Sequence, residues 1–370
     1  MAAVGRHNPQ VFGTLSRYMV REFLRVTALC VVAFVAVYIV VDFFDRFDDF
    51  LKHDASVGAM IRYFLFKVPL ILTQVLPVAV LASMLVTLGA MGRSNEITAM
   101  RACGFSTFEI AAPLLLVCIA LSVASLIWNE AVVPHFSRQV RTINTVEIKK
   151  KETPALLGNR EIWTHGEDAF YNVESFDARS RTIAGLSIYR ITKEFRLQGV
   201  VKIPQATWTR GAWRYTMGSE ERFLPNGEVE TKVLAAGTLD LREKPADLIA
   251  AQQEAEEFNY FELRDLIANL RRKGLDATEY VVDLHLKLAV PFIGTIMALL
   301  AIPLGLRPSL RSGGFANSVG LGLVIGFSYW VVLALSVSLG HGGALPSALA
   351  AWTANGIFAG IGLFLLLGVN

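Results

Sequence analysis

Residues 68–92 read VPLILTQVLPVAVLASMLVTLGAMG, a run without an Asp, Glu, Lys or Arg. The hydrocarbon core of a bilayer is about 30 Å thick, and a helix rising about 1.5 Å per residue needs about 20 apolar residues to cross it. The run passes that length, and extended back to Met60 it predicts a span over 60–91. Pro69 and Pro77 predict kinks within it, because proline removes a helical hydrogen bond. Charge-free runs recur at 26–41, 110–129, 288–306 and 312–370. With their flanks, the first three predict spans over 23–43, 105–128 and 281–304. The last is too long for one helix; Gly340, His341, Gly342, Gly343 and Pro346 divide it into spans at 317–339 and 347–368. The reading is an α-helical membrane protein with six spans, in two halves, 1–129 and 276–370, around an insert at 130–275.

The charged residues, 18% of the 370, all lie outside those runs, whereas soluble domains average about 25% charged throughout. An all-soluble enzyme, a disordered chain and a secreted disulfide scaffold are thereby excluded. Cys30, Cys103 and Cys118 lie in or beside spans, so the insert offers no disulfide and no cysteine metal site. Basic residues set the direction. Arg17, Arg21 and Arg25 precede span 1, Arg93 and Arg101 follow span 2, and Arg307 and Arg311 follow span 4. The loop after span 1 is acidic instead, with Asp42, Asp45, Asp48, Asp49 and Asp54. Both termini are therefore expected in the cytoplasm and the insert outside it. Span 1 is too long for a cleavable signal, and no small-residue cleavage site follows it.

The insert opens with a polar helical run, Pro134 to Lys151. Short segments of period-2 alternation follow: Glu161–Trp163, Ala169–Val173, Gly185–Ile191, Gly199–Ile203, Ala206–Thr209, Trp213–Met217 and Val229–Thr238. Asp177–Ser180 and Asn226-Gly227 supply turns, and the pattern predicts a β-rich, jelly-roll-like domain. Beyond Glu254 the period becomes helical, with Phe261, Leu263, Leu266, Ile267 and Leu270 on one face and Gly274 as the stop. The chain has no phosphate-binding loop, no H-E-x-x-H and no G-x-S-x-G, and its six histidines lack ligand spacing. No catalytic residue and no metal site is expected.

One segment between spans 2 and 3 stands apart. Residues 94–103 predict a short helix with Ser94 or Asn95 as cap and Gly104 as stop; Ile97, Met100 and Cys103 share a face, and Glu96 and Arg101 project from the rest. Such a helix on the membrane surface either docks into a cytoplasmic partner or merely connects two spans. The segment resembles the coupling helix of the lipopolysaccharide-export permeases, the LptF/LptG family of ABC transporter subunits. Arg17-Tyr18 with Phe23-Leu24, Asn129 to Pro134, Gly185 to Tyr189, Tyr280 to Lys287, Pro291-Phe292 and Ala301 to Leu304 resemble further family segments in the same order. Arg93-Ser94 and Gly104-Phe105 lean towards the LptG branch.

The resemblance implies a permease that extracts lipopolysaccharide from the inner membrane and passes it, through its external β domain, to a periplasmic bridge. The implied partners are a cytoplasmic ABC ATPase dimer, a sister permease subunit, a single-span component of the bridge and the lipid itself; nucleic acid is not among them. ATP and Mg would bind the partner ATPase, with no cofactor in this chain. Glu96, with Arg101, Ser94 and Gly104, would transmit the ATPase's movement. At the outer boundary Arg62, Lys67, Arg138 and Arg141 are candidates for lipid phosphates, since arginine suits phosphate geometry, or else snorkelling side chains. Asp42 departs from LptG-type members that carry a basic residue there, and unbridged by a divalent cation it would repel phosphate. Tyr38, Phe327 and Trp330 are candidate walls of a lipid cavity or gate. The small pairs Gly322/Gly326 and Gly356/Gly360 either pack within the subunit or form a seam with a sister. Asp283, His285 and Lys287 either anchor span 4 at the interface or relay protons. Alternatives are another envelope-lipid or lipoprotein ABC permease, which would typically have four spans, and a lipid-modifying enzyme built on Asp283 and His285.

Overall fold

The computed structural model describes residues 9–148, 162–165, 169–177, 180–192, 197–223, 229–239, 241, 245, 248, 255–272, 276–306 and 314–368. Arg307, Arg311, Gly274 and Asn226-Gly227, used above, lie outside them. Six helical stretches are long and apolar enough to cross a membrane: Gly13–Lys52, Val57–Arg93, Thr107–Ala131, Thr278–Gly305, Gly320–His341 and Ser347–Leu367.

The first helix, α1 (Pro9–Lys52), far outruns the span expected at 23–43. Nothing in the acidic stretch after Val41 breaks a helix, and Arg46 Nε reaches back one turn to Asp42 Oδ1 at 3.3 Å. The helix ends where Asp54 turns left-handed (φ 45°) and the Ala55 amide bonds Phe50 O at 3.1 Å. Helix α2 (Val57–Arg93) follows, with Pro69 and Pro77 inside it, then α3 (Glu96–Ala102) and α4 (Thr107–Ala131). A capping box fixes the start of α4: the Ser106 hydroxyl accepts from the Glu109 amide and the Glu109 carboxylate accepts from the Ser106 amide.

The chain forms two compact units: Met1–Arg46, Phe66–Ser137 and Thr278–Asn370 make one, and Phe47–Leu65 with Arg138–Ala277 the other. The first is a helical bundle whose core joins Leu81, Leu85 and Leu88 of α2, Ile110 and Leu114 of α4, and residues of the last three spans. Its fourth span is not one straight helix. Helix α7 (Thr278–Ala289) passes through a 3-10 turn at Val290–Phe292 into α8 (Ile293–Gly305). Pro291 explains the break. In that turn the Ile293 amide bonds Val290 O, and the Ala289 carbonyl accepts Asn355 Nδ2 at 2.9 Å. Asn355 lies on α10 (Ser347–Leu367), and its Oδ1 takes the hydroxyl of Tyr329, on α9 (Gly314–His341), at 2.5 Å. Three spans thus share one buried polar knot.

The second unit holds a helix α5 (Val133–Thr142, from Arg138 onward), a π-helical turn Ile143–Ile148, the sheet, and helix α6 (Tyr260–Arg272). The sheet has six antiparallel strands in sequence order: β1 (Ile162–His165), β2 (Ala169–Asp177), β3 (Thr182–Ile191), β4 (Leu197–Thr209), β5 (Ala212–Phe223) and β6 (Val229–Leu239). Successive strands pair as hairpins, so no jelly-roll crossover occurs among the described residues. Val173, Phe176, Ile183, Leu186, Ile203 and Trp213 form its core.

Two details differ from the sequence reading. Gly199–Ile203 and Ala206–Thr209 belong to one strand, β4, which runs through Pro204. The pairing of β4 with β5 is interrupted there, between Lys202–Ser219 and Ala206–Tyr215, and Pro204 has no amide proton to donate to it. On α6, Leu263, Leu266 and Ile267 are buried as the periodicity implies, but Phe261 is exposed. It lies in the first turn, two residues before Leu263 and off the buried stripe.

Candidate functional site

The short helix α3 is built into the bundle rather than laid over it. Ile97 and Met100 belong to the main core, while Cys103, grouped with them by spacing, is exposed because it caps the helix end. Asn95 is the N-cap, in left-handed conformation and without a side-chain cap bond; Ser94 turns its hydroxyl to Glu96 Oε1 at 2.7 Å. Gly104 (φ 92°) closes the helix. Its amide bonds Arg101 O at 3.0 Å and the Phe105 amide bonds Met100 O at 3.1 Å, the paired bonds of a Schellman end. A side chain at Gly104 would strain that φ.

The two charges on α3 are held from within the chain. Glu96 lies beside Tyr18 of α1, within reach of its hydroxyl, and is half-buried. Arg101 donates to Thr107 Oγ1 at 3.2 Å, and its Nε is buried without a hydrogen-bond partner. The structure therefore brings Ser94, Glu96 and Tyr18 together and aims Arg101 at the start of α4. Tyr18 was legible only as part of a segment resembling the family, with no signal that it meets Glu96.

The four candidate lipid cations each face a carboxylate of the same chain. Lys67 Nζ, buried, lies 2.7 Å from Asp42 Oδ2 and 5.9 Å from the centre of the Tyr38 ring. Asp42 is thus neutralised by Lys67 and Arg46, and the three side chains together carry a net positive charge. Arg62 pairs with Glu147 of the π-helical turn at 2.6 Å. Arg138 donates to Glu257 O at 2.8 Å and to the Glu262 carboxylate. Arg141 pairs with Glu257 Oε2 at 3.1 Å, and Glu257 is 4% exposed. Among the described residues no group of three or more histidine, cysteine or acidic side chains comes together to hold a metal.

Of the candidate wall residues, Tyr38 packs with Phe34 and Val35 against Ile71 and Val75 of α2. Phe327 is exposed and Trp330 borders on exposure. Neither belongs to the packed group around Tyr38. A Cβ at Gly322 would lie 3.0 Å from Leu85, and one at Gly326 would lie 3.8 Å from Leu81, so this pair packs within the subunit. Gly356 and Gly360 have nothing within 4 Å of such an atom and form an open strip. Asp283 meets His341 Nε2 at 3.0 Å, not His285. Residues 283 and 285 lie roughly 200° apart around a helix, so they cannot share a face.

The comparisons with known proteins agree with this architecture. The family model for "Lipopolysaccharide export system permease LptF/LptG" matches residues 17–368. The chain is 23% identical over 363 residues to the lipopolysaccharide export system permease protein LptG of Escherichia coli (strain K12), covering 97% of this chain and 99% of that protein. It is 20% identical over 323 residues to the protein of the same name from Haemophilus influenzae, covering 87% of this chain and 89% of that one. This family transports and does not catalyse, and a permease of an export system implies partner subunits of an ABC transporter. With its six candidate spans, its inserted sheet and a family match over nearly all its length, the chain belongs to the LptF/LptG family of lipopolysaccharide export permeases.

Proposed function

We propose that the chain is the inner-membrane permease subunit through which a cytoplasmic ATPase dimer drives lipopolysaccharide out of the bilayer. Helix α3 is the contact with that ATPase. It is seven residues long, yet Ile97 and Met100 root it in the core that all six spans share. Force applied to its exposed side, where Thr98, Ala99 and Ala102 lie, would be carried to α2 and α4 rather than absorbed by a loose connector. That rooting is the observation on which the reading rests. Nucleotide and Mg belong to the partner, because this chain has no phosphate-binding loop.

In this reading α3 and both termini face the cytoplasm and the sheet lies in the periplasm, where it receives the lipid and hands it to a bridge anchored by a single-span component. A sister permease completes the cavity, and the exposed apolar faces of α1 and α9, which carry Val32, Phe44, Val324 and Phe327, meet lipid or that sister. The test is purification of the tagged chain from membranes of its native host. Recovery with an ATPase and a second permease, and loss of the ATPase alone on Glu96→Ala, support the reading. Recovery of the chain by itself overturns it.

A further inference from the structure

The run from Ser312 to Asn370 contains no Asp, Glu, Lys or Arg, and its single histidine is His341. That side chain is half-buried. It closes on Asp283, in the second turn of α7, with Nε2 3.0 Å from Oδ1. The pair is partly accessible, at 32% for the histidine side chain and 17% for the aspartate. Six spans in alternation put the start of the fourth and the end of the fifth on one side of the membrane.

His341 is also the last residue of α9, where the helix dipole presents its negative end and favours a cation. The turn beyond it is tightly bonded. The Gly342 amide bonds Ser338 O at 3.1 Å, and the Ala344 and Leu345 amides both bond Leu339 O, at 2.9 and 3.2 Å. Just before it, Gly340 is so close to α10 that a Cβ would lie 2.3 Å from that of Ala350. The histidine therefore sits on an ordered joint between the fifth and sixth spans. Among the described residues, the charged or titratable groups on the elements packed against the pair are few. Helix α7 itself carries Glu279 and Lys287 one turn to either side of Asp283, with Tyr280 and His285 elsewhere on it. The 3-10 turn and α10 contribute none; α4 has Glu130 near this end, and α9 has only Tyr329, bonded to Asn355.

We propose that His341 and Asp283 form a proton-operated clasp between the fourth span and the joint of the fifth and sixth, and that the clasp regulates lipid export. With neutral imidazole the contact is one hydrogen bond. Protonation turns it into an ion pair at a helix C-terminus, and histidine changes charge within the range a bacterial envelope meets. What it regulates rests on the export reading; the clasp itself does not.

The test is hydrogen exchange of the full chain in nanodiscs, read on peptides covering 338–346, at about pH 5.5 and about pH 8. His341→Gln, measured at the same pH, cancels the intrinsic pH dependence of exchange. The expected protection of wild type over His341→Gln is about three- to tenfold in acid, the combined size of a helix-end charge and a partly exposed ion pair, and close to one in base. Asp283→Asn should erase the acid-specific protection in the same way. An equal ratio at both pH values, or acid protection surviving Asp283→Asn, overturns the clasp. Export by the complete complex in vesicles tests the regulation: slowing on acidification in wild type and not in His341→Gln supports it, and coincident pH curves overturn it. Absence of lipid export in every variant would count against the export reading and leave the exchange result standing.

Discussion

Lys67 of α2 places its ammonium 2.7 Å from the Asp42 carboxylate of α1, with only 10% and 12% of the two side chains exposed. A charge at this depth is tolerated because it is paired. Asp42→Asn, which takes the carboxylate from both Lys67 and Arg46, should lower stability by up to about 3–5 kcal/mol, the range for a broken buried pair, and Lys67→Met, which leaves Arg46 on Asp42, should cost less. The double variant Asp42→Leu/Lys67→Leu should recover most of the loss. Thermal unfolding in nanodiscs checks this; single variants that melt with the wild type would show the pair to be incidental.

The same pair bears on the lipid. By the family resemblance Asp42 stands where some LptG-type members carry a basic residue, and on sequence alone it reads as a repellent for phosphate. With Lys67 and Arg46 bonded to it, the group is net positive, and no divalent cation is required to remove the repulsion.

Glu96 and its neighbours give the next prediction. Its carboxylate accepts from Ser94 at 2.7 Å and lies beside Tyr18. Glu96→Ala should leave the protein folded and cut ATP-driven export at least about tenfold, since a hydrogen bond to a charged group is worth roughly 1.5–3 kcal/mol. Ser94→Ala and Tyr18→Phe, which only loosen its orientation, should cut export less while the ATPase continues to turn over. Export by Glu96→Ala at the wild-type rate would remove Glu96 from the coupling route.

A third prediction concerns the knot at the broken fourth span. Asn355→Leu leaves the Tyr329 hydroxyl buried without a partner and takes the side-chain donor from the Ala289 carbonyl, at about 1–3 kcal/mol by soluble-protein values and nearer 0.6 kcal/mol by those measured within membranes. Tyr329→Phe removes only one bond and should destabilise less than Asn355→Leu. Unfolding by denaturant in mixed micelles ranks the two, and the reverse order would contradict the network.

Much of this was legible in the chain. The charge-free runs mark the six spans, and period-2 alternation marks the sheet, because both signals are local. The buried ion pair was legible in principle: Asp42 and Lys67 lie equally far from the turn at Asp54–Ala55, as facing residues of a helical hairpin must, and Thr27 and Ser83, bonded at 2.8 Å, nearly repeat the relation. The spacing around α3 placed Ile97 and Met100 in the core but carried Cys103 with them, because periodicity does not show where a helix stops packing. What no local signal carries is the pairing of distant charges. Arg141 with Glu257, Arg138 with Glu262 and His341 with Asp283 join segments 58 to 124 residues apart, and the choice of Asp283 over His285 depends on which face of α7 meets α9.

The last prediction decides what Arg141 is for. Its guanidinium reaches Glu257 at 3.1 and 3.3 Å, and that carboxylate is almost wholly buried. An arginine in this position either ties the 3-10 turn at Ala255–Glu257 to α5 or lends itself to a lipid phosphate, which would have to displace Glu257. Single variants cannot separate the two roles, because Arg141→Ala and Glu257→Ala each break the pair and lose stability. The exchange Arg141→Glu/Glu257→Arg can. It restores the ion pair with its charges reversed, so a purely structural arginine predicts recovery of both melting temperature and export. A phosphate-binding arginine predicts recovery of the melting temperature while export stays low, because a carboxylate now stands where the phosphate would bind. The burial of Glu257 favours the first outcome: a counter-ion withdrawn from water and held by two hydrogen bonds is not readily displaced. Recovered stability without recovered export would overturn that expectation and place lipid phosphate at Arg141.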